Sequence, residues 1–356
     1  MKLASTLLAS AALAGSLLAA DPVPTTTVTY RVEQNATLTE IPAGAKHVKF
    51  WVSIPDNERY QDVLDFSAVS VPGKWSIVRD PDRGNRFMLV EVDNPGTDKL
   101  TAKVEFTVRR TSVFTAIDAA RVGPITDSIR TLYAEELAKD APHMRVTPAI
   151  QQKADEACGT ETNVAIQAKL LLGAVADFAN HYSIDPTKPK CGIGDAGDCM
   201  ANAGGCCTDM HSMFIAMARA RGIPTRLQMG YRLREANAGK EVDPGYRCWA
   251  EYFVPNYGWV SADVVEADDP KGLGRARWFT GLTERRIWLN EGREFNLAGR
   301  ANPRQRVNTM IIGYAEIDGV EARVLPDDAL GLKAQLWRTV KYTEIKPAEV
   351  TKVAGN

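Results

Sequence analysis

The chain has 356 residues, more than one domain usually holds, so two or three domains with separate cores are expected. Its 43 basic and 44 acidic residues leave a net charge of -1, and hydrophobic residues make up 45%. With no long run of either sign, this balance lacks the electrostatic footprint of a nucleic-acid or membrane-surface binder and describes an ordinary globular protein.

Residues 1–20 carry one positive charge, then an Ala- and Leu-rich stretch that ends in small residues. This is the pattern of a secretory signal peptide, cleaved after Ala20 or Ala14. The alternative, an uncleaved anchor, is disfavoured because Asp21 and Pro22 stop the segment near the lower limit for crossing a bilayer. No later segment approaches a span, so the expectation is an exported protein, periplasmic or extracellular, with no membrane span after signal removal. Six cysteines in an exported chain raise the question of disulfides. If Cys207 is a free nucleophile, five remain and at least one is unpaired. Cys191 to Cys199, around a Gly-rich loop, is the expected local bridge.

From Thr25 onward the pattern is extended. Val28, Tyr30 and Val32 alternate with polar neighbours, and residues 47–53, 86–92 and 100–108 continue the period of two. Residues 25–115 are therefore read as an N-terminal antiparallel β domain, a sandwich. After 115 the period lengthens. Thr126 caps a helix with Ile129, Leu132, Tyr133 and Leu137 on one side, and Thr147-Pro148 opens another that Gly159 stops. A longer helix spans Asn163 to Tyr182, with one apolar stripe from Val164 through Phe178 to Tyr182. A Gly- and Cys-rich loop then leads into a helix from Thr208 to Arg221, ended by Gly222 and Pro224.

Strand periodicity returns at Thr225, and Tyr246 to Val254 turns through Pro255-Asn-Tyr-Gly258 into Trp259 to Val264, a hairpin. With Val254 facing Trp259, Ala250 faces Asp263, and Arg247 lies three positions away, about 10 Å at strand rise. Alternation places Arg247, Trp249, Glu251 and Phe253 on the site face, with Cys248 behind. Asp318-Gly319 marks a late hairpin between 308–317 and 320–324, and residues 335–345 form a last strand. Residues 301–356 are thus expected to make a small C-terminal β extension.

A thiol acts as a nucleophile only as thiolate, and unpaired amides at a helix start favour that form. Cys207 stands at such a start, and a base oriented by a carboxylate would complete a thiol-imidazole-carboxylate site. Cys207-Thr-Asp209, Arg219-Ala-Arg-Gly-Ile-Pro-Thr-Arg226, Tyr246-Arg-Cys-Trp-Ala-Glu-Tyr-Phe253, Tyr257-Gly-Trp-Val-Ser-Ala-Asp263 and Trp278-Phe-Thr-Gly-Leu-Thr-Glu284 together resemble the transglutaminase-like superfamily, in particular its exported bacterial members. The resemblance covers about residues 165–297. It implies an α+β fold with a transglutaminase-like (papain-like) core over 120–300, its motif region at 204–267. It also implies a thioester at Cys207 formed from a protein or peptide amide, with Asp263 as the orienting carboxylate.

The family's histidine precedes the Trp-Ala-Glu run, and Arg247 stands at that place. Guanidinium is not deprotonated in proteins, so Arg247 can neither take the thiol proton nor return it to a leaving amine. The first expectation is a transglutaminase-like protein with impaired catalysis that binds peptide or protein segments in its cleft. The second is an active thiol acyltransferase or peptidase with a replacement base, His211, four residues from Cys207 on one helix face. Similar family members carry a histidine there besides their usual one, which implies a packing role for His211. A third reading has Cys206, Cys207 and His211, with Cys191 and Cys199, holding a metal, although their spacing does not fit common zinc sites. Cys206 could instead pair with Cys248. Trp249 is expected as a cleft-wall, auxiliary residue and Asp209 as a first-turn carboxylate. No cofactor is implied, and no compact carboxylate loop for calcium is present.

Overall fold

The computed structural model describes residues 25–190, 193–243, 245–267, 273–323 and 332–346. The expected signal segment 1–20 and Cys191 lie outside the described residues. In chain order, β1 (Thr27–Thr39), β2 (His47–Ser53), β3 (Gln61–Ser70), β4 (Lys74–Arg79), β5 (Arg86–Asp93), β6 (Leu100–Thr111) and β7 (Val113–Phe114) come first. Helices α1 (Asp127–Leu132), α2 (Pro148–Cys158) and α3 (Val164–Phe178) follow, then β8 (Asn180–His181), α4 (Ala196–Asn202), β9 (Gly204–Gly205) and α5 (Cys207–Ala220). After β10 (Thr225–Arg232) come β11 (Tyr246–Val254), β12 (Gly258–Ala262), α6 (Val264–Ala267), α7 (Arg275–Trp278), β13 (Gly281–Leu282), β14 (Arg286–Glu291), β15 (Tyr314–Ile317), β16 (Val320–Arg323) and β17 (Leu332–Ile345).

The chain divides into two compact units, a strand-rich one (Thr26–Ser112, Gln228–Arg247 and Thr283 onward) and a helical one (Val113–Leu227 and Cys248–Leu282). In the strand-rich unit one sheet runs β3-β6-β1-β17-β16-β15-β2-β5-β4. Alternation explains it: Tyr30, Val32, Gln34, Ala36 and Leu38 of β1 are buried while their neighbours are more open. The expected sandwich of two sheets within 25–115 is instead part of one continuous ladder, because β17 inserts beside β1 and β15 pairs with β2. Tyr231 and Leu233, with Ile287 and Leu289 of β14, join the same core. The strands of residues 301–356 belong to this sheet. Asp318 and Gly319 make the expected tight turn, both with positive φ (51° and 80°) between paired Ile317 and Val320. The strand before it begins only at Tyr314, and upstream of it the Met310 carbonyl accepts from Ser53 Oγ at 2.7 Å.

In the helical unit α5 is buried along its whole length. Thr147 caps α2 and Gly159 ends it, as the sequence predicts. Thr126 caps α1, but that helix stops at Leu132, which is 70% exposed, and Leu137 sits in a separate turn. The larger departure is α3, which ends at Phe178 and not at Tyr182. Asn180 N–H instead bonds the Ala203 carbonyl at 3.2 Å and Tyr182 N–H the Gly205 carbonyl at 2.9 Å, so the backbone leaves the helix to form a parallel rung with β9. Glycine permits this approach: a Cβ on Gly204 would lie 2.3 Å from the Asn180 carbonyl oxygen.

The hairpin is present with a register one residue away from expectation. Val254 pairs with Gly258 and Ala250 with Ala262, because Asn256 (φ 73°) and Gly258 (φ 83°) make a tighter turn than the sequence pattern suggests. Continued by one rung, that register sets Trp249, not Ala250, opposite position 263.

Candidate active site

Cys207 is the first residue of α5, a 14-residue helix, and its side chain is buried. The turn before it is tightly held. Asp209 accepts from Cys206 N–H at 2.8 Å and from Asp195 N–H at 3.0 Å, while Ser212 Oγ donates to the Gly194 carbonyl at 2.9 Å. Asp209 is thus a capping carboxylate that fixes the entrance to the helix, in line with a first-turn role.

His211 lies one turn on, fully buried. Its Nδ1 is 2.7 Å from the Cys207 carbonyl oxygen, and the Val264 N–H reaches its Nε2 at 3.2 Å. A carbonyl can only accept and an amide can only donate, so these two bonds assign a neutral ring with the proton on Nδ1 and the lone pair on Nε2 engaged. Asp263 Oδ1 lies 3.6 Å from Nε2, too long for a hydrogen bond. An ion pair would need a proton where the Val264 amide already points. Asp263 Oδ1 also accepts from the Val265 and Glu266 amides, both at 3.0 Å, and so caps α6. The His211 ring thus joins the Cys207 carbonyl to the amide that follows Asp263.

The remaining expected residues fall as follows. Trp249 is buried within β11. Arg247, the second residue of that strand, is also buried, and the boundary between the two units runs between it and Cys248. Cys248, expected behind the site, has its Sγ 3.2 Å from Thr208 Oγ1 in the first turn of α5. Tyr252, four residues on along the same face, meets Phe214 of α5 edge to face, so this is the face of β11 that packs on the thiol-bearing helix. Glu251 is held by Arg226 at 2.7 Å and Ser261 at 3.2 Å, a structural anchor.

The cysteines correct two expectations. Cys199 and Cys248 are free thiols and Cys206 is disulfide-bonded, so neither a Cys191–Cys199 nor a Cys206–Cys248 bridge forms. The α4 helix turns Cys199 into a buried pocket, where burial first and the Asp209 carboxylate second push its thiol up to about 12. A disulfide-bonded Cys206 cannot be a thiolate ligand, which removes the metal reading built on it. Among the described residues no group of three or more His, Cys, Asp or Glu could hold a metal ion.

Sequence reasoning missed His181. The β8–β9 rung sets it across from Gly205, two residues ahead of Cys207. Its signal was the glycine pair at 204–205, which asks for a close backbone partner.

Comparison with known proteins agrees with this architecture. Residues 151–264 match the sequence pattern of the transglutaminase-like superfamily. A Haemophilus influenzae protein of uncharacterized function is 27% identical over 314 residues, spanning 78% of this chain and 83% of its own. The crystal structure of a Cytophaga hutchinsonii protein, described provisionally as a cysteine protease, superposes with a TM-score of 0.58 at 14% identity, covering 91% of this chain and 93% of the other. That likeness is one of fold. No described helix is long and apolar enough to cross a membrane. The sequence match, the thiol-led helix and the hairpin leading to Asp263 make this chain a carrier of a transglutaminase-like domain in a mixed α and β fold.

Proposed function

We propose that the chain is an exported transglutaminase-like protein whose cleft at Cys207 and Asp263 binds protein or peptide amide segments, with acyl transfer impaired. The observation that carries this reading is the locked ring of His211, whose Nε2 accepts from the Val264 amide at 3.2 Å. The sequence offers two candidates for the thiol proton. Arg247, at the family's histidine position, stays protonated. His211 has its lone pair engaged. Loss of general acid-base catalysis slows acyl transfer by about 10²- to 10⁴-fold, yet leaves a thiol that reacts with strong electrophiles. Export rests on the character of residues 1–20, and a mature N terminus at Asp21 or Gly15, read by mass spectrometry, is the expected outcome; an intact Met1 in the exported fraction counts against it.

One observation favours an active thiol enzyme with His211 as base: its 3.6 Å approach to Asp263. That reading requires the ring to release the Val264 amide before it can take a proton. The test is incorporation of a fluorescent primary amine into a glutamine-containing peptide by the wild type and by Arg247→His. The expected result is wild-type turnover near background and a gain of at least about tenfold in Arg247→His, the lower part of the acid-base range. A wild type as fast as the variant would sink the impaired-catalysis reading.

A further inference from the structure

Four histidines occur in the chain, and two of them are joined directly to the Cys207 turn, His211 by a hydrogen bond to the Cys207 carbonyl and His181 by its rung with Gly205. His211 is closed at both ring nitrogens. His181 is closed at one. The residue is only 7% exposed, yet its ring is bonded through Nδ1 alone: Ser183 N–H reaches it at 3.2 Å and Ser183 Oγ lies 2.7 Å away. Because an amide can only donate, Nδ1 carries the lone pair and the neutral ring keeps its proton on Nε2. Among the described residues Nε2–H has no hydrogen-bond partner, and it is not one of the fully buried unpartnered atoms, so this edge of an otherwise buried ring is open to solvent or to a ligand.

The direction of the ring follows from its rung. His181 pairs with Gly205 in a parallel ladder, and paired residues project to the same face. On that face a Cβ added to Gly205 would lie 2.6 Å from Asp209 Oδ2, in the first turn of α5. His181 thus projects to the side that the start of the thiol-bearing helix covers. The ring is held there by its stack on Tyr182, with centroids 4.7 Å apart.

We infer that His181 donates its Nε2–H to the carbonyl oxygen of a peptide amide seated beside Cys207. The chemistry of the group suits this role, since a neutral, pre-oriented donor in a largely dry setting stabilises charge developing on a carbonyl oxygen without reorganising. The site then keeps a means of gripping the amide while lacking a means of moving its proton. This inference rests on the Cys207 cleft being an amide-binding site, but not on turnover.

The test uses two small thiol reagents on the purified protein, with modification of the Cys207 peptide followed by mass spectrometry. N-ethylmaleimide adds through its alkene: a sulfur electron pair forms the S–C bond, the π pair moves onto a carbonyl oxygen as an enolate, and water returns a proton to carbon. Methyl methanethiosulfonate forms a mixed disulfide, releasing methanesulfinate, and builds no enolate. Both react through the thiolate, so their rate ratio cancels its fraction. The expected result is that His181→Phe lowers the N-ethylmaleimide rate at Cys207 at least about fivefold, the worth of one hydrogen bond, and leaves the methylthiolation rate unchanged. His181→Gln, which retains an N–H donor, keeps the wild-type ratio. Equal slowing of both reagents in His181→Phe, or slowing of neither, overturns the inference. Should His181→Phe fail to fold by circular dichroism, the ratio in wild type is compared with that of N-acetylcysteine amide, and a wild-type ratio no higher than the free thiol's overturns it. Cys199, held up to about 12, stays a thiol throughout and does not blur the readout. Failure of amine incorporation leaves this test untouched, so the two readings fall separately.

Discussion

In the strand-rich unit, Tyr231 Oη donates to Gln34 Oε1 at 2.7 Å and Gln34 Nε2 to the Ser53 carbonyl at 3.0 Å, while Ser53 Oγ reaches the Met310 carbonyl at 2.7 Å. Each of these buried groups ends on a partner inside the same unit. The helical unit holds the same kind of closure at His211, bonded to the Cys207 carbonyl and the Val264 amide. It departs from it at His181, where one ring nitrogen is bonded and the other is not. Closed polar groups specify and hold a core, whereas a donor edge left open on a mostly buried ring is available to solvent or a ligand. This difference separates the two histidines near Cys207 into a structural one and one available to a ligand.

The largest effect is expected at His211. His211→Ala removes two buried hydrogen bonds, leaves the Val264 amide short of a partner, and opens a cavity beside α5, so a loss of about 3–5 kcal/mol is expected in urea unfolding. A loss under about 1 kcal/mol would mean that the ring does not hold that junction. The closure in the strand-rich unit is sharpened by Tyr231→Phe, which deletes only the phenol oxygen bonded to Gln34. About 1–2 kcal/mol is expected there, because the Gln34 acceptor is left buried, and no change in Cys207 reactivity. The smallest effect on stability belongs to His181→Phe, within about 1 kcal/mol of wild type, since the variant forfeits only the bonding of Nδ1 to Ser183. A large destabilisation would place His181 among the structural residues.

Much of the fold was legible because it follows from short-range pattern. The alternation of β1, the Thr147-Pro148 and Gly159 ends of α2, the Asp318-Gly319 turn and the thiol at the start of α5 each depend on neighbours in sequence. What the sequence hid depends on partners far along the chain. The apolar stripe from Val164 to Tyr182 keeps its helical period past Phe178, so nothing local announces that residues 180–182 pair with 203–205. By period alone, His181 reads as part of a helix face. The hairpin shifted by one residue because the positive φ at Asn256 is a property of the turn as built. The free Cys199 and bonded Cys206 could not be told apart by spacing, since both are buried and only the fold decides which one meets another cysteine.

On the proposed function, His211 holds the site together and does not serve as its base. Nitrogen-15 NMR of the imidazole ring tests it most directly, with assignment through the loss of signals in a His211→Gln variant. The expected result is a neutral ring at pH 7 with the proton on Nδ1 and an acceptor shift at Nε2, unchanged when Cys207 is alkylated. A ring protonated on Nε2, or one that gains a proton in step with thiolate formation at Cys207, would contradict it and restore His211 as the base of a working thiol enzyme.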